Sequence, residues 1–366
     1  MKTWQLLRQN RHLFQRYFVK EFLIRGIREF FQNKKYHELE SPILAPALPQ
    51  ERYLSPLHVE VKTSNFESIA YIIPTTERYN KIILAAGLGD HFVITKVARS
   101  SEELSKNHSL EFTMCEWYHI NGTYLDLMSD CEDLIRFLHR YIYDSFVKEK
   151  NLGRFPIDLS YFYEDYIIYQ DEKINIKYPF YRKSVPDLLS EYSQIDLNNI
   201  QDESDFRSNL KSKNYINIEN LNWQEMFELV FAKEIEPNLP KDRPVFVYDY
   251  PKQVCVLTKP NATNNLVCEK VELYICGKEI GNGYTELTDW HLQKINFDRE
   301  MKARKKLNLQ TINYDYELLD ALKLGIPDVA GIGIGLDRLA MIFANVKNIS
   351  DINYFSINEW DIFNSK

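Results

Sequence analysis

The stretch Gly331-Ile-Gly-Ile-Gly-Leu-Asp-Arg-Leu-Ala-Met341 sets three glycines at alternate positions before an acidic residue, an arginine and an apolar run. In an extended segment, alternate residues share one face. Gly331, Gly333 and Gly335 therefore leave one face of a strand bare, and another group can lie flat against the backbone there. Arg338 then falls in the first turn of a helix predicted over 336–346. A bare strand face ending in a fixed guanidinium suits a nucleotide, with base or sugar against the glycines and phosphate on the arginine. The pattern equally fits a strand packed tightly beneath another element, with Arg338 paired to a core carboxylate.

The chain has 366 residues, 45% of them hydrophobic and 14% aromatic, enough for one large domain or two ordinary ones. No apolar run approaches the roughly 20 residues of a membrane helix. The N-terminus lacks the apolar core and small-residue cleavage site of a signal peptide. The five cysteines are odd in number and form no C-x-x-C pair, so they read as reduced thiols of a cytoplasmic protein. Neither they nor the eight histidines show zinc-ligand spacing. A net charge of −7 argues against non-specific nucleic-acid binding, which needs a basic face.

Apolar residues at spacings of three and four predict a long amphipathic helix over 5–34. Pro42, Pro46 and Pro49 keep the following segment out of helix. Strands are expected at 37–39, 71–73, 91–98, 111–119, 245–248, 271–276 and 279–287. Helices are expected at 76–86, 128–148, 223–234, 290–306 and 316–324. Residues 150–220 are polar and rich in Asn, Asp and Ser, and are expected to form a peripheral insertion. Strands separated by loops and hairpins, not by regular crossover helices, predict an antiparallel sheet flanked by helices: an α+β fold spanning 1–366 as a single domain.

Two further blocks carry chemistry. In the strand leading to Tyr118, Phe112, Met114, Glu116 and Tyr118 share a face. Such a face suits a base and an ammonium group, and it suits an ordinary strand with a polar edge as well. Glu272 and Glu279 lie on opposite faces of a single strand, but a turn at Gly277-Lys278 folds them together. Converging carboxylates suit Mg2+, which takes one or two carboxylates plus nucleotide phosphates. Beyond the turn, Asn282, Tyr284 and Glu286 line one face, a wall suited to a cationic side chain or to solvent.

Glu111-Phe-Thr-Met-x-Glu-x-Tyr118, Glu279-Ile-Gly-Asn-Gly-Tyr-x-Glu286 and Gly331-x-Gly-x-Gly-x-Asp-Arg338 together resemble the motifs of the class II lysyl-tRNA synthetase catalytic domain. Ser41-Pro42 after a long helix resembles that class's first, dimer-forming motif. The resemblance spans roughly 12–358. The chain starts at the helix before the first motif, so the resemblance implies a protein without the barrel that reads the anticodon. Lys241-Asp-Arg-Pro-Val-Phe-Val-Tyr248 and Tyr284-x-Glu-Leu-Thr-Asp289 are similar to the stand-alone paralogue that lysylates elongation factor P.

The resemblance implies a role for each residue. Glu102 and His108 contact ATP, Phe112 stacks on adenine, Gly335 lies along the nucleotide, and Arg338 binds the γ-phosphate. Glu272 and Glu279 hold Mg2+. Glu77 takes the α-ammonium of the amino acid. Tyr118 and Glu286 take its side-chain ammonium, and Glu116, Asn282, Tyr284 and Gly333 complete the pocket. The protein then supplies positioning and charge neutralisation while the amino-acid carboxylate attacks the α-phosphorus.

The pattern departs from that family at one reacting position. The family places an arginine, bridging the α-phosphate and the substrate carboxylate, two residues before the motif glutamate. Counted back without a gap, that glutamate is Glu102, the arginine position holds Ser100, and Arg99 is one residue off. A one-residue shift turns a strand side chain to the other face. Arg99 is therefore expected to reach the site only through a local bulge. Loss of the charge would cost on the order of 3 kcal/mol in the transition state. Gly333 stands where the elongation-factor branch tends to carry alanine, which leaves α-lysine, β-lysine and other basic amino acids open.

The expected function is an ATP-dependent ligase that forms the adenylate of a lysine-like amino acid and passes it to a protein lysine, on elongation factor P first of all. The chain is expected to act as a cytoplasmic homodimer with no tRNA partner. Two alternatives stay open: a carrier protein or small molecule as acceptor, and a non-catalytic regulatory paralogue suggested by Ser100.

Overall fold

The glycine stretch forms a central strand of an eight-stranded sheet. The computed structural model describes residues 2–100 and 105–360. The sheet strands are β1 (His37–Glu38), β2 (His91–Ala98), β3 (Glu111–Ile120), β4 (Tyr181–Ser184), β5 (Val245–Pro251), β6 (Val267–Ile275), β7 (Lys278–Thr285) and β8 (Val329–Gly335). Their spatial order is β1-β2-β3-β8-β7-β6-β5-β4. The two edge pairs are parallel and the five inner pairs antiparallel, as the α+β reading expects.

Helices α1 (Thr3–Gln9), α2 (Phe14–Asn33), α3 (Glu77–Ala85), α4 (Tyr124–Leu152), α5 (Trp290–Lys306), α6 (Tyr316–Leu324) and α7 (Leu336–Phe343) flank this sheet. The expected single helix over 5–34 is interrupted. Asn10 is extended and its side chain accepts from the His12 N–H, so it caps a new helical start.

Alternation divides the sheet into two unlike faces. Cys115, Trp117, Ile332, Ile334, Val271 and Leu273 pack beneath it with apolar residues of α2, α4 and α7 in the main core. In α4, Leu127, Cys131, Leu134, Leu138 and Ile142 recur at spacings of three and four and are all buried there. Two strands share this core in opposite phase. On β8 the isoleucines face the core, whereas on β7 the core-facing positions opposite them are Gly281 and Gly283. A Cβ on Gly283 would lie 2.4 Å from Ile332 Cβ, and one on Gly281 would lie 2.6 Å from Ile334 Cγ2. The bare positions of β7 are filled by the isoleucines of β8.

The β6–β7 turn is centred on Cys276 and Gly277, one residue earlier than expected. Both have positive φ, 50° and 67°, as a two-residue type I′ hairpin requires. A bulge follows, with Tyr274 opposite Glu279 but Leu273 opposite Gly281. The extra residue brings Glu279 and Asn282, three apart in sequence, to the same face.

Residues 150–220 do not behave as a peripheral insertion. They contribute the edge strand β4, and they send Ile157, Ile167, Ile174, Ile176 and Phe180 into the main core. The polar composition hid apolar residues spaced singly through the segment. A second core, including Leu188, Ile200, Phe206 and Leu210, packs this region against the helix Trp223–Val230 and strands β5 and β6. Among the described residues, no helix is long and apolar enough to cross a membrane.

Candidate active site

The other face of the sheet floors a cleft of about 340 Å3. Its floor is laid out in rows by strand register. One row reads His91, Tyr118, Gly331, Tyr284, Lys270, and the next Val93, Glu116, Gly333, Asn282, Glu272. The glycines of β8 give each row a bare centre between polar or aromatic side chains. A Cβ on Gly331 would sit 2.7 Å from both Glu286 Oε1 and Tyr118 Cε1, so the space over this strand is filled from both sides.

At one end of the cleft lies a group of buried ions. Lys81, fully buried on α3, places its Nζ 2.5 Å from Glu77 Oε1 and 2.6 Å from Glu286 Oε2. Burial opposes the charge on Lys81, but the two carboxylates outweigh it and raise the pKa of the ammonium. Tyr284 donates to Glu77 Oε2 at 2.7 Å. Tyr118 stacks on the His91 ring with centroids 5.3 Å apart. Glu116 accepts from the Thr76 N–H, the Thr75 and Thr76 hydroxyls and Asn80 Nδ2. Four donors fill its acceptors, so it anchors the start of α3 and thereby places Glu77.

These ions do not balance. Glu77 and Glu286 share one ammonium, and the Glu116 carboxylate lies beside them with no cation of its own among the described residues. Burial pushes the Glu286 carboxyl well up; Lys81 opposes this, while Glu77 and Glu116 add to it. Burial likewise raises Glu116. Beside them Asn282 Oδ1 is buried with no donor among the described residues. The cleft end is short of positive charge and of hydrogen-bond donors, and a ligand carrying ammonium groups supplies both.

Arg99 and Arg338 line the cleft with His108 and Phe112. Arg338 Nη1 donates to Glu279 O at 2.8 Å and Nε to Asn107 O at 3.3 Å, which fixes the guanidinium at the start of α7. Its neighbour Asp337 accepts from the Thr113 N–H at 3.0 Å and pairs with Lys20 of α2. The expected bulge before Arg99 is absent. β2 and β3 pair in one continuous register to Ala98–Glu111, and the Arg99 N–H continues it to Leu110 O. That register puts Arg99 on the same face as Val97 and Phe112, and its guanidinium lies 5.4 Å from the Phe112 ring centre. Ser100 turns away and donates to Ser55 O.

The two carboxylates expected to hold Mg2+ are placed unequally. Both are on the cleft face of the hairpin, but only Glu279 lines the cleft. Burial, and then the Glu272 carboxylate, raise the Glu279 carboxyl to about 7. Glu272 is held behind it by Tyr250, Tyr274, Lys270 and Asn282. No group of three or more His, Cys, Asp or Glu among the described residues is arranged to hold a metal ion. Glu279, strained by a like charge, fits a cation bound chiefly by phosphates, whereas Glu272 would have to release a donor first.

The cleft thus gathers Glu77, Arg99, His108, Phe112, Glu116, Tyr118, Glu279, Asn282, Tyr284, Glu286, Gly333, Gly335 and Arg338. Glu102 lies outside the described residues. The sequence reading missed Lys81, whose signal was its i+4 spacing from Glu77 on a predicted helix. It also missed Glu51, Thr75 and Thr76, which come from loops and carry no periodic signal.

The chain matches the family model described as tRNA synthetases class II (D, K and N) over residues 3–359. The chain belongs to this family. Among its relatives is a lysine–tRNA ligase of Wigglesworthia glossinidia brevipalpis, 32% identical over 92% of this chain and 63% of that protein. A lysine–tRNA ligase of Clostridium tetani (strain Massachusetts / E88) is 28% identical over 91% of this chain and 62% of its own length. An elongation factor P–(R)-beta-lysine ligase of Enterobacter sp. (strain 638) is 28% identical, with 91% of this chain and 92% of that protein covered. This synthetase-family chain spans under two thirds of the lysine–tRNA ligases it matches.

Proposed function

We propose that the chain is an ATP-dependent amino acid ligase that forms the adenylate of lysine or a lysine-like basic amino acid. The observation that carries this reading is the charge deficit at the cleft end, where two buried carboxylates, Glu77 and Glu286, share one ammonium and a third, Glu116, lies beside them. A basic amino acid brings two ammonium groups and one carboxylate. Its side-chain ammonium would join Glu286 and Tyr118, and its α-ammonium would join Glu77 and the unpaired Asn282 Oδ1. An uncharged side chain would leave Glu77 and Glu286 sharing the single Lys81 ammonium, which is a basis for discrimination.

Arg99 then meets the substrate carboxylate and the α-phosphate, and its place on the cleft face weakens the case for a non-catalytic paralogue. Phe112 offers a ring to the adenine, and His108 and the bare edge at Gly335 accommodate the nucleotide. Arg338, already pinned by two carbonyls, meets the terminal phosphate without reorganising. Bound Mg2+ would neutralise phosphate charge, with Glu279 as its protein ligand and Glu272 holding the reserve carboxylate.

The acceptor we favour is a protein lysine on elongation factor P, in a cytoplasmic homodimeric enzyme. The support is the Enterobacter ligase of that name, matched over nearly its whole length. The test is amino-acid-dependent ATP–pyrophosphate exchange across basic amino acids, followed by mass analysis of elongation factor P. Exchange with lysine or a close analogue is expected, and no exchange with any basic amino acid refutes the reading.

A further inference from the structure

One carboxylate on the cleft wall has no part in the activation step. Glu51 lines the cleft from the loop between Pro49 and Ser55. Its side chain makes no hydrogen bond or ion pair with any described residue. The loop that carries it is nevertheless fixed. Arg304 Nη1 donates to the carbonyls of Glu51, Arg52 and Leu54 at 3.0, 2.8 and 2.7 Å. Gln50 is fully buried and donates to Leu48 O and Asn313 O, and Arg52 pairs with Glu300 at 3.3 Å. An unpartnered carboxylate on a clamped loop is a group held ready for something that arrives from outside.

Its surroundings indicate what arrives. Glu77 of α3, Arg99 at the end of β2, Lys270 of β6, Glu300 of α5 and Tyr284 of β7 all act on it or feel its charge. Burial and then Glu77 push its carboxyl up to about 7, against the pull of Arg99 and Lys270. Under the function proposed above, Arg99 meets the substrate carboxylate, and Glu51 lines the same cleft and feels the Arg99 charge.

We propose that Glu51 receives the acceptor as an alkylammonium group and takes its proton, which makes the acceptor class of this site a primary amine. This rests on the ligase reading. An unperturbed lysine ammonium has a pKa of about 10.4, so at neutral pH it is almost wholly protonated and not nucleophilic. Loss of one proton to the Glu51 carboxylate frees the nitrogen lone pair. The nitrogen then bonds to the carbonyl carbon of the adenylate, the carbon–oxygen bond to AMP breaks, and the second proton on nitrogen passes to water. The products are an amide and AMP. A ribose hydroxyl carries no positive charge and gains no attraction from this carboxylate.

The test compares two acceptors on the adenylate formed by the full chain. Hydroxylamine is uncharged at neutral pH and needs no base, whereas N-acetyl-lysine amide arrives as an ammonium. Glu51→Gln is expected to lower amide formation relative to hydroxamate formation by about a hundredfold, the usual scale for a positioned base. Wild-type amide formation should rise with pH through about 7, because the ionised carboxylate is the active form. Glu51→Gln should lose that limb and Glu51→Asp should keep part of it. An unchanged ratio in Glu51→Gln, or a wild type that makes hydroxamate but no amide, overturns the proposal and leaves the ligase reading standing. A wild type with no pyrophosphate exchange overturns both.

Discussion

Replacing Lys81 with methionine removes the only cation within 2.6 Å of both Glu77 and Glu286 among the described residues, and keeps the volume of the stem. Breaking a buried ion pair from one side costs about 3–5 kcal/mol. Unfolding entropy near the melting point is about 2.1 cal/mol/K per residue, or about 0.8 kcal/mol/K for this chain. The melting temperature should therefore fall by about 4–7 °C near neutral pH. The fall should depend on pH. Glu286 is already pushed up by burial, and loss of Lys81 pushes it further. A carboxyl whose folded pKa exceeds its unfolded value binds more protons when folded, so stability is lost as pH rises from the unfolded towards the folded value. The gap between variant and wild type should be small near pH 5 and widen towards pH 8. Calorimetric melts at both pH values, with and without lysine, measure this. Lysine should raise the melting temperature of the variant more than that of the wild type, because its ammonium enters an emptier site. A fall that is the same at both pH values, or one below about 1 °C, would refute the charge-deficit reasoning.

The remaining predictions use the same cleft. Arg99→Ala should lower pyrophosphate exchange about a hundredfold or more, whereas Ser100→Ala, whose hydroxyl donates to Ser55 O, should change it little; the reverse order would show that the arginine role belongs elsewhere. Gly333→Ala places a Cβ 3.1 Å from Glu116 Cγ and 3.5 Å from Met114 Sδ. The loss of one methyl's worth of room should lower kcat/KM for α-lysine about 10–100-fold, read by exchange kinetics on α- and β-lysine. Binding of lysine should release protons, because Glu286 and Glu116 are both raised in the free site and an ammonium favours their ionised forms. Calorimetric titration in buffers of different ionisation enthalpy should show net release and an affinity that weakens as pH falls; proton uptake would contradict it.

Much of the fold was legible because the sheet interior leaves period-two signals. β2 coincides with its expected range of 91–98, and α5 and α6 coincide with 290–306 and 316–324. The glycines of β8 and the face shared by Phe112, Met114, Glu116 and Tyr118 line the cleft. What was not legible depended on contacts distant in sequence. Arg99 reaches the cleft face because the register of β2 and β3 continues one residue past Ala98, which strand parity alone does not report. Glu272 looked equal to Glu279 until Tyr250, from another strand, closed over it. Glu51 is placed by Arg304, some 250 residues away. The polar segment over 150–220 concealed its isoleucines because they occur one at a time.

The opposed phases of β7 and β8 bear on how this protein can vary over evolutionary time. Gly283 and Ile332 occupy a single volume between them, as do Gly281 and Ile334. Adding a methyl to one strand demands removing bulk from the other at the same level, so neither strand can drift alone. A viable Gly283→Ala lineage would have to pass through a smaller residue at position 332 first. The two motifs should therefore change as matched pairs or not at all, and the floor of the cleft is inherited as one unit although its halves lie some fifty residues apart in the chain.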